Sequence, residues 1–147
     1  MINKEERHIG KTLRILSNLV RRKIESKLSQ RGIDLTSSQA RIIGFVFHQS
    51  QIRNVYQRDI EVEFDIRRSS VTNTLQLLEK NGYILRVNVD EDARLKKILL
   101  TEKGIGIHDI LRECVFEIEG ALNSVFTIEE LNELFYLFDK LYTVLEE

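Results

Sequence analysis

At Asn81-Gly82 the apolar period of the chain changes. Upstream, Val71, Leu75 and Leu78 recur in steps of four and three, which places them on one core-facing stripe of a helix. Downstream, Tyr83, Leu85, Val87 and Val89 alternate with Ile84, Arg86 and Asn88, the two-residue repeat of a strand with one half-buried face. The glycine between them accepts the left-handed conformation common just past a helix end. After the polar break Asp90-Glu91-Asp92-Ala93, the segment Leu95 to Leu100 is apolar and long enough to return antiparallel. The pattern therefore predicts a helix feeding directly into a two-stranded β-hairpin with a charged tip.

Elsewhere the period is helical, and the sequence contains no proline to interrupt it. Ile9, Leu13, Leu16, Val20, Ile24 and Leu28 form one stripe of a long first helix that Arg31-Gly32 stops. Thr36-Ser37-Ser38-Gln39 reads as a capping box ahead of Ile42, Ile43, Phe45, Val46 and Phe47. A short pattern from Gln57 to Phe64, the pair Asp65-Ile66, and a third pattern beginning near Arg67 give helix, short turn, helix. Thr101 caps another long helix, striped by Ile107, Ile110, Cys114, Ile118, Ala121 and Val125. A second capping box, Thr127 to Glu130, opens the last helix, striped by Leu131, Leu134, Phe138, Leu141 and Leu145. The expected fold is mainly α, with about six helices and one hairpin in a single domain over residues 1–147.

A chain of 147 residues buries enough surface to fold without staples, and its one cysteine, Cys114, offers no disulfide framework. The longest apolar runs are short and the first eleven residues are charged, so neither a membrane span nor a secretion signal is expected; a reducing, cytoplasmic setting fits. The net charge of −1 conceals an uneven distribution. Residues 1–31 carry nine Lys/Arg against three Asp/Glu, whereas residues 104–147 carry two against ten. Two readings follow: solvated helical faces, or terminal helices that meet between two chains, with complementary charge setting their orientation.

The helix-turn-helix carries the strongest functional signal. At about 100° per residue, turning Val71, Leu75 and Leu78 inward points Ser69, Asn73, Gln76 and Lys80 outward, with Ser70 and Thr72 flanking them. Asn and Gln side chains can pair bidentately with adenine, and Ser or Thr with several bases. Arg67 and Arg68 stand at the helix start, where they reach phosphates while the helix N-terminus itself favours anions. Leu77 also falls toward the outward face. The hairpin after this helix has the arrangement of a wing, whose Arg94 can enter a minor groove or hold a phosphate. Asp92 is placed to position Arg94 or an arginine of the recognition helix. Lys96 and Lys97 alternate to opposite sides of the returning strand, so at most one of them, with Lys96 the candidate, faces a duplex.

These residues resemble the multiple-antibiotic-resistance regulator (MarR) family of winged helix-turn-helix transcription factors. Leu35-Thr36-Ser37-Ser38-Gln39 is similar to its leucine-threonine-x-x-glutamine helix opening. Ser70 to Leu75, then Leu78 to Ile84 and Arg86, resemble its recognition helix leading into the wing. Asp92-Ala93-Arg94, then lysine, then Leu100-Thr101-Glu102-Lys103-Gly104, resembles its wing signature. The sequence departs from the pattern at Asp65, where glycine or asparagine is common, and at Leu95, where a small residue is usual. The resemblance implies a homodimer joined through helices in 1–31 and 104–147, with a DNA-binding region at 32–103 that reads a pseudo-palindrome. It also implies a repressor that a small aromatic or anionic effector relieves, in a pocket with His8, Lys11, Thr12 and Ile15 of the first helix and Ile43 and Phe47 of the second as candidates.

Other chemistries find little support. Cys114 lies on an apolar stripe, the place of a packing thiol. His8, His48 and His108 are scattered along the chain, so no metal site is expected. No glycine-rich phosphate loop or nucleophile motif points to an enzyme or a cofactor. The alternative function is a winged-helix module that binds another protein, against which Ser69, Asn73 and Gln76 offer no aromatic anchor.

Overall fold

The computed structural model of the chain describes residues 8–89 and 92–146, with the side chains of residues 92–94 outside that description. Its elements are α1 (Ile9–Gln30), α2 (Ser37–Ser50), β1 (Val55–Tyr56), α3 (Gln57–Phe64), α4 (Arg68–Lys80), β2 (Ile84–Val89), β3 (Asp92–Leu100), α5 (Glu102–Asn123) and α6 (Ile128–Glu146). The chain divides into two compact units, Met1–Cys114 and Val115–Glu147.

Local signals account for most of the boundaries in the first unit. Thr36 and Gln39 make the reciprocal capping box that starts α2, the Gln39 amide donating to the Thr36 hydroxyl at 3.2 Å and the Thr36 amide to the Gln39 side chain at 2.9 Å. Gly32 and Gly82 close α1 and α4 with positive φ of 75° and 77°. The residue that ends α3 is Asp65, left-handed at φ 49°. Asp is among the few side chains that tolerate this region, so the turn forms without glycine, and the Ile66 amide donates to Glu61 O at 3.1 Å.

The sheet differs from expectation by one strand. The wing hairpin is present, with β2 antiparallel to β3 from Ile84↔Leu100 to Asn88↔Lys96 and a register shift before Val89↔Asp92. β1 adds a third, outer strand through Val55↔Ile98 and Tyr56↔Lys97, giving the order β1-β3-β2. A two-residue strand has no period to reveal it, and its partner lies far along the sequence. The strand anchors the base of the wing to the start of α3.

One core organises this unit. Leu28 of α1, Ile42, Ile43 and Val46 of α2, Ile60 of α3, and Val71, Leu75 and Leu78 of α4 are buried with Val55, Ile84 and Ile98 of the sheet and Ile107 of α5. Each such aliphatic side chain contributes roughly 1.5–3 kcal/mol on burial. The stripe of α4 thus faces the core, and its polar residues lie on the opposite side.

The first turn of α5 is tied to the exit of α4. The Thr101 hydroxyl donates to Gly82 O at 2.6 Å and accepts from the Gly104 amide at 3.0 Å, while Lys103 Nζ donates to Asn81 O at 2.7 Å. Gly104 packs so closely that a Cβ there would stand 2.1 Å from Tyr83 O.

In the second unit, Thr127 and Glu130 form the expected box at the start of α6. No residue of α6 is buried, and Phe135 and Leu145 are 60% and 78% exposed. In the first unit α1 is similarly open, with Ile9, Ile15, Leu16 and Leu19 exposed and Leu28 its one buried residue. Both predicted stripes exist, and both leave apolar surface uncovered.

Candidate nucleic-acid interface

The outward face of α4 is polar and accessible. Ser69, Ser70, Asn73, Gln76 and Lys80 are exposed, as are Arg67 and Arg68 at its start; Leu77 is about half exposed on the same side. Arg67 occupies the N-cap without a side-chain cap bond; the Ser70 amide donates to Arg67 O at 3.0 Å, which leaves the Arg68 and Ser69 amides at the helix start to face an anion. Thr72 is different. It is half-buried, its hydroxyl donates to Arg68 O at 2.9 Å, and it accepts from Gln57 Nε2 at 2.8 Å. Thr74 likewise donates to Ser70 O at 2.9 Å.

A groove of about 300 Å³ runs from the starts of α3 and α4 to the wing. Arg58, Arg68, Arg86 and Lys96 line it, with Glu61 as the one acidic wall residue among the described residues. The sequence reading reached Arg68 and Lys96 but assigned no role to Arg58, Arg86 or Gln57, because they join the site only through the antiparallel return of β3 and the packing of α3. Lys96 is exposed and Lys97 half-buried, as their alternation requires. The side chains of Asp92 and Arg94 lie outside the described residues.

Two ion pairs brace this surface. Arg86 gives Nε at 3.0 Å and Nη2 at 2.6 Å to Glu79 Oε2, tying β2 to the last turn of α4. The hydrogen bond from Arg86 holds the Glu79 carboxyl below its usual pKa, against the opposing effect of burial. At the start of α3, Asp59 accepts from the Tyr56 amide at 2.8 Å and pairs with Arg53 at 3.0 Å. Burial works against the Asp59 charge, but the Arg53 and Tyr56 hydrogen bonds outweigh it and depress the pKa.

The candidate effector residues are dispersed. His8, Lys11 and Ile15 are exposed, Thr12 is half-buried, and Ile43 is fully enclosed in the core. Phe47 is covered by His108, their rings stacked 3.7 Å apart. Ile43 therefore faces no open cavity, contrary to its expected place on a pocket wall: the inward stripe of α2 consigns it to the core.

The histidines also correct expectation in part. His48 and His108, distant in sequence, come together with ring centroids 5.4 Å apart. His108 is 5% exposed, and its Nδ1 has no hydrogen-bond partner, with Asp109 Oδ1 at 3.6 Å. Burial pushes the His108 pKa down and His48 adds to the shift, while Asp109 opposes it. Among the described residues no group of three or more His, Cys, Asp or Glu could hold a metal ion. Cys114 is buried, and no described helix is long and apolar enough to cross a membrane.

Comparison with known proteins agrees with this architecture. Residues 33–95 match the MarR family model. The chain is 23% identical over 90 residues to the HTH-type transcriptional regulator BilQ of Clostridioides difficile (strain CD3); the match covers 61% of each protein, less than two thirds of that relative's length. Among solved structures, the Staphylococcus aureus MepR–DNA complex is 27% identical with a TM-score of 0.83, covering 95% of this chain and 99% of MepR. MepR bound to ethidium bromide is 27% identical with a TM-score of 0.61, covering 97% and 99%. The matched segment runs from before α2 into the start of β3 and takes in the helix-turn-helix and the first strand of the wing, and over it the chain is similar to the MarR family.

Proposed function

We infer that the protein is a sequence-specific, double-stranded-DNA-binding transcription regulator: a homodimeric repressor of a pseudo-palindromic operator, relieved by a small effector. The observation that carries this reading is the exposed Ser69, Asn73 and Gln76 face of α4, set beside Arg67, Arg68 and the basic groove leading to Lys96. Amide and hydroxyl groups on a helix of this kind suit base edges in the major groove, while the arginines and the open helix N-terminus suit phosphates. Arg94, from its place in the wing, is assigned to the minor groove or a phosphate, with Asp92 as its positioner. The DNA-bound form of MepR supports the same use of the fold.

Dimerisation is supported by the uncovered apolar side chains of α1 and α6 and by the opposite charge of the terminal segments. Two winged helices would then contact half-sites roughly 34–36 Å apart. Repression and its relief rest on the family resemblance, with the ethidium complex of MepR as a precedent for a small aromatic ligand. His8, Lys11, Thr12, Ile15 and the edge of Phe47 remain the candidate contacts. Such a ligand must bind one arrangement of the dimer better than the other.

Selection of bound duplexes from a random pool, repeated with aromatic anions and cations present, tests the reading. Enrichment of a two-fold motif is expected, and its weakening by one compound class identifies the effector. A pool that shows no enrichment at low salt overturns the assignment.

A further inference from the structure

Gln57 opens α3 and sits against the first turns of α4, where its side-chain amide reaches three acceptors. Nε2 lies 2.8 Å from Thr72 Oγ1, 3.0 Å from Glu61 Oε1 and 3.4 Å from Arg68 O. The described side-chain hydrogen bonds between α3 and α4 all run through this one group. Both helices also bury apolar side chains in the shared core, Ile60 from α3 and Val71 and Leu75 from α4. Apolar packing is non-directional, so it fixes the distance between two helices better than the rotation of one about its own axis.

The donor inventory of Thr72 decides its role. A threonine hydroxyl has one hydrogen to give and two lone pairs. The hydrogen goes to Arg68 O at 2.9 Å and one lone pair is taken by Gln57, which leaves a half-buried acceptor and nothing to donate. Ser69, Asn73 and Gln76, by contrast, are exposed and have no side-chain hydrogen bond among the described residues. They are free to donate to bases, and Thr72 has no proton left to give.

We propose that Gln57 and Thr72 are positioning residues that set the rotation of the recognition helix, so that Thr72 governs base selectivity through Gln57 instead of by touching a base. The inference rests on the DNA-binding reading and deepens it. Productive recognition needs side chains held within about 0.5 Å and 10–20°. Loss of the link therefore misaligns Ser69, Asn73 and Gln76 together, whereas loss of a base-reading side chain affects one position.

The test uses the full-length protein, the duplex selected from the random pool, a scrambled duplex, and single-base variants spanning one half-site, read by fluorescence anisotropy. Thermal melts of each variant accompany the titrations. Gln57→Met, which keeps length but loses the amide, and Thr72→Val are expected to lower the ratio of specific to scrambled affinity roughly three- to tenfold. The loss should be spread over the half-site, with the preferred bases unchanged. The double variant should fall no further than the worse single variant, because both break one link. Thr72→Ser, which keeps the hydroxyl, should restore the wild-type ratio.

The proposal is overturned if Thr72→Val alters preference at a single base position only, if Gln57→Met leaves the ratio unchanged, or if the two losses add. Should Gln57→Met melt below the assay temperature, Thr72→Val against Thr72→Ser decides alone. A wild-type protein that does not distinguish the two duplexes overturns the functional reading itself, and that result precedes any substitution.

Discussion

Arg86 of β2 meets a single carboxylate oxygen of Glu79 through both Nε, at 3.0 Å, and Nη2, at 2.6 Å. The pair bridges the turn at Asn81-Gly82, and so couples the end of the recognition helix to the wing where the chain changes from one secondary structure to the other. The guanidinium it holds also lines the basic groove.

Glu79→Gln is expected to release Arg86. Affinity for any duplex should rise slightly and become more salt-dependent, while discrimination between specific and scrambled DNA falls. Because the Glu79 pKa is lowered in the folded state, its contribution is present above the ordinary carboxylate pKa and is lost as pH falls through the depressed value. The pair is partly solvated, so it contributes at most about 1 kcal/mol. Chemical denaturation across a series from pH 7 downward should show the wild-type advantage over Glu79→Gln shrink as pH falls below the ordinary carboxylate range.

His108 sets a second acid-sensitive element, at a higher pH. Its pKa is depressed by burial, and the groups around it are Phe47 and His48 from α2 and Asp109 and Arg112 from its own helix. The neutral ring is what the fold accommodates. Stability is therefore full above the unfolded histidine value of about 6.5 and declines as pH falls through the folded value, since the unfolded chain takes up the proton first. His108→Phe, which keeps a ring against Phe47, should reduce the loss of melting temperature between pH 7.5 and 5.5.

The two halves of the interface should separate under mutation. Asn73→Ala is expected to relax preference at one base position, with a cost of about 1–3 kcal/mol for the favoured base and little change on scrambled DNA. Arg68→Ala and Arg94→Ala should weaken binding to every sequence and lower the salt slope by about one each. Titrations at two or more salt concentrations check both expectations.

Substitution inside the core should act on folding alone. Leu75 is fully buried on the inward stripe of α4, and Leu75→Ala is expected to cost about 2–5 kcal/mol in urea denaturation. Phe135 is exposed on α6, so Phe135→Glu should leave the winged unit folded. It should shift sedimentation toward the monomer and weaken binding to a two-half-site duplex far more than to a single half-site.

The helices, their capping boxes and the hairpin were legible in the sequence because each depends on residues within a few positions of one another. Thr36 with Gln39, Thr127 with Glu130, and the inward stripe from Val71 to Leu78 show this directly. The polar face of α4 followed from the same arithmetic. What escaped depends on chain return. β1 pairs Val55 with Ile98, Gln57 reaches Thr72 across a turn, and His48 meets His108 through the packing of α2 against α5. No period or local spacing encodes these meetings. Ile43 illustrates the converse: its stripe was read correctly, yet the depth of the core behind it was not visible.

Gly104 faces a backbone oxygen at a separation that even a methyl group cannot share. Every alternative residue at that position would prise the opening of α5 from the Tyr83 backbone between α4 and β2, and overpacking of this sort typically costs about 1–3 kcal/mol. Here the tolerance is a single hydrogen atom wide. That spot behaves as a weld in the domain, admitting neither play nor padding.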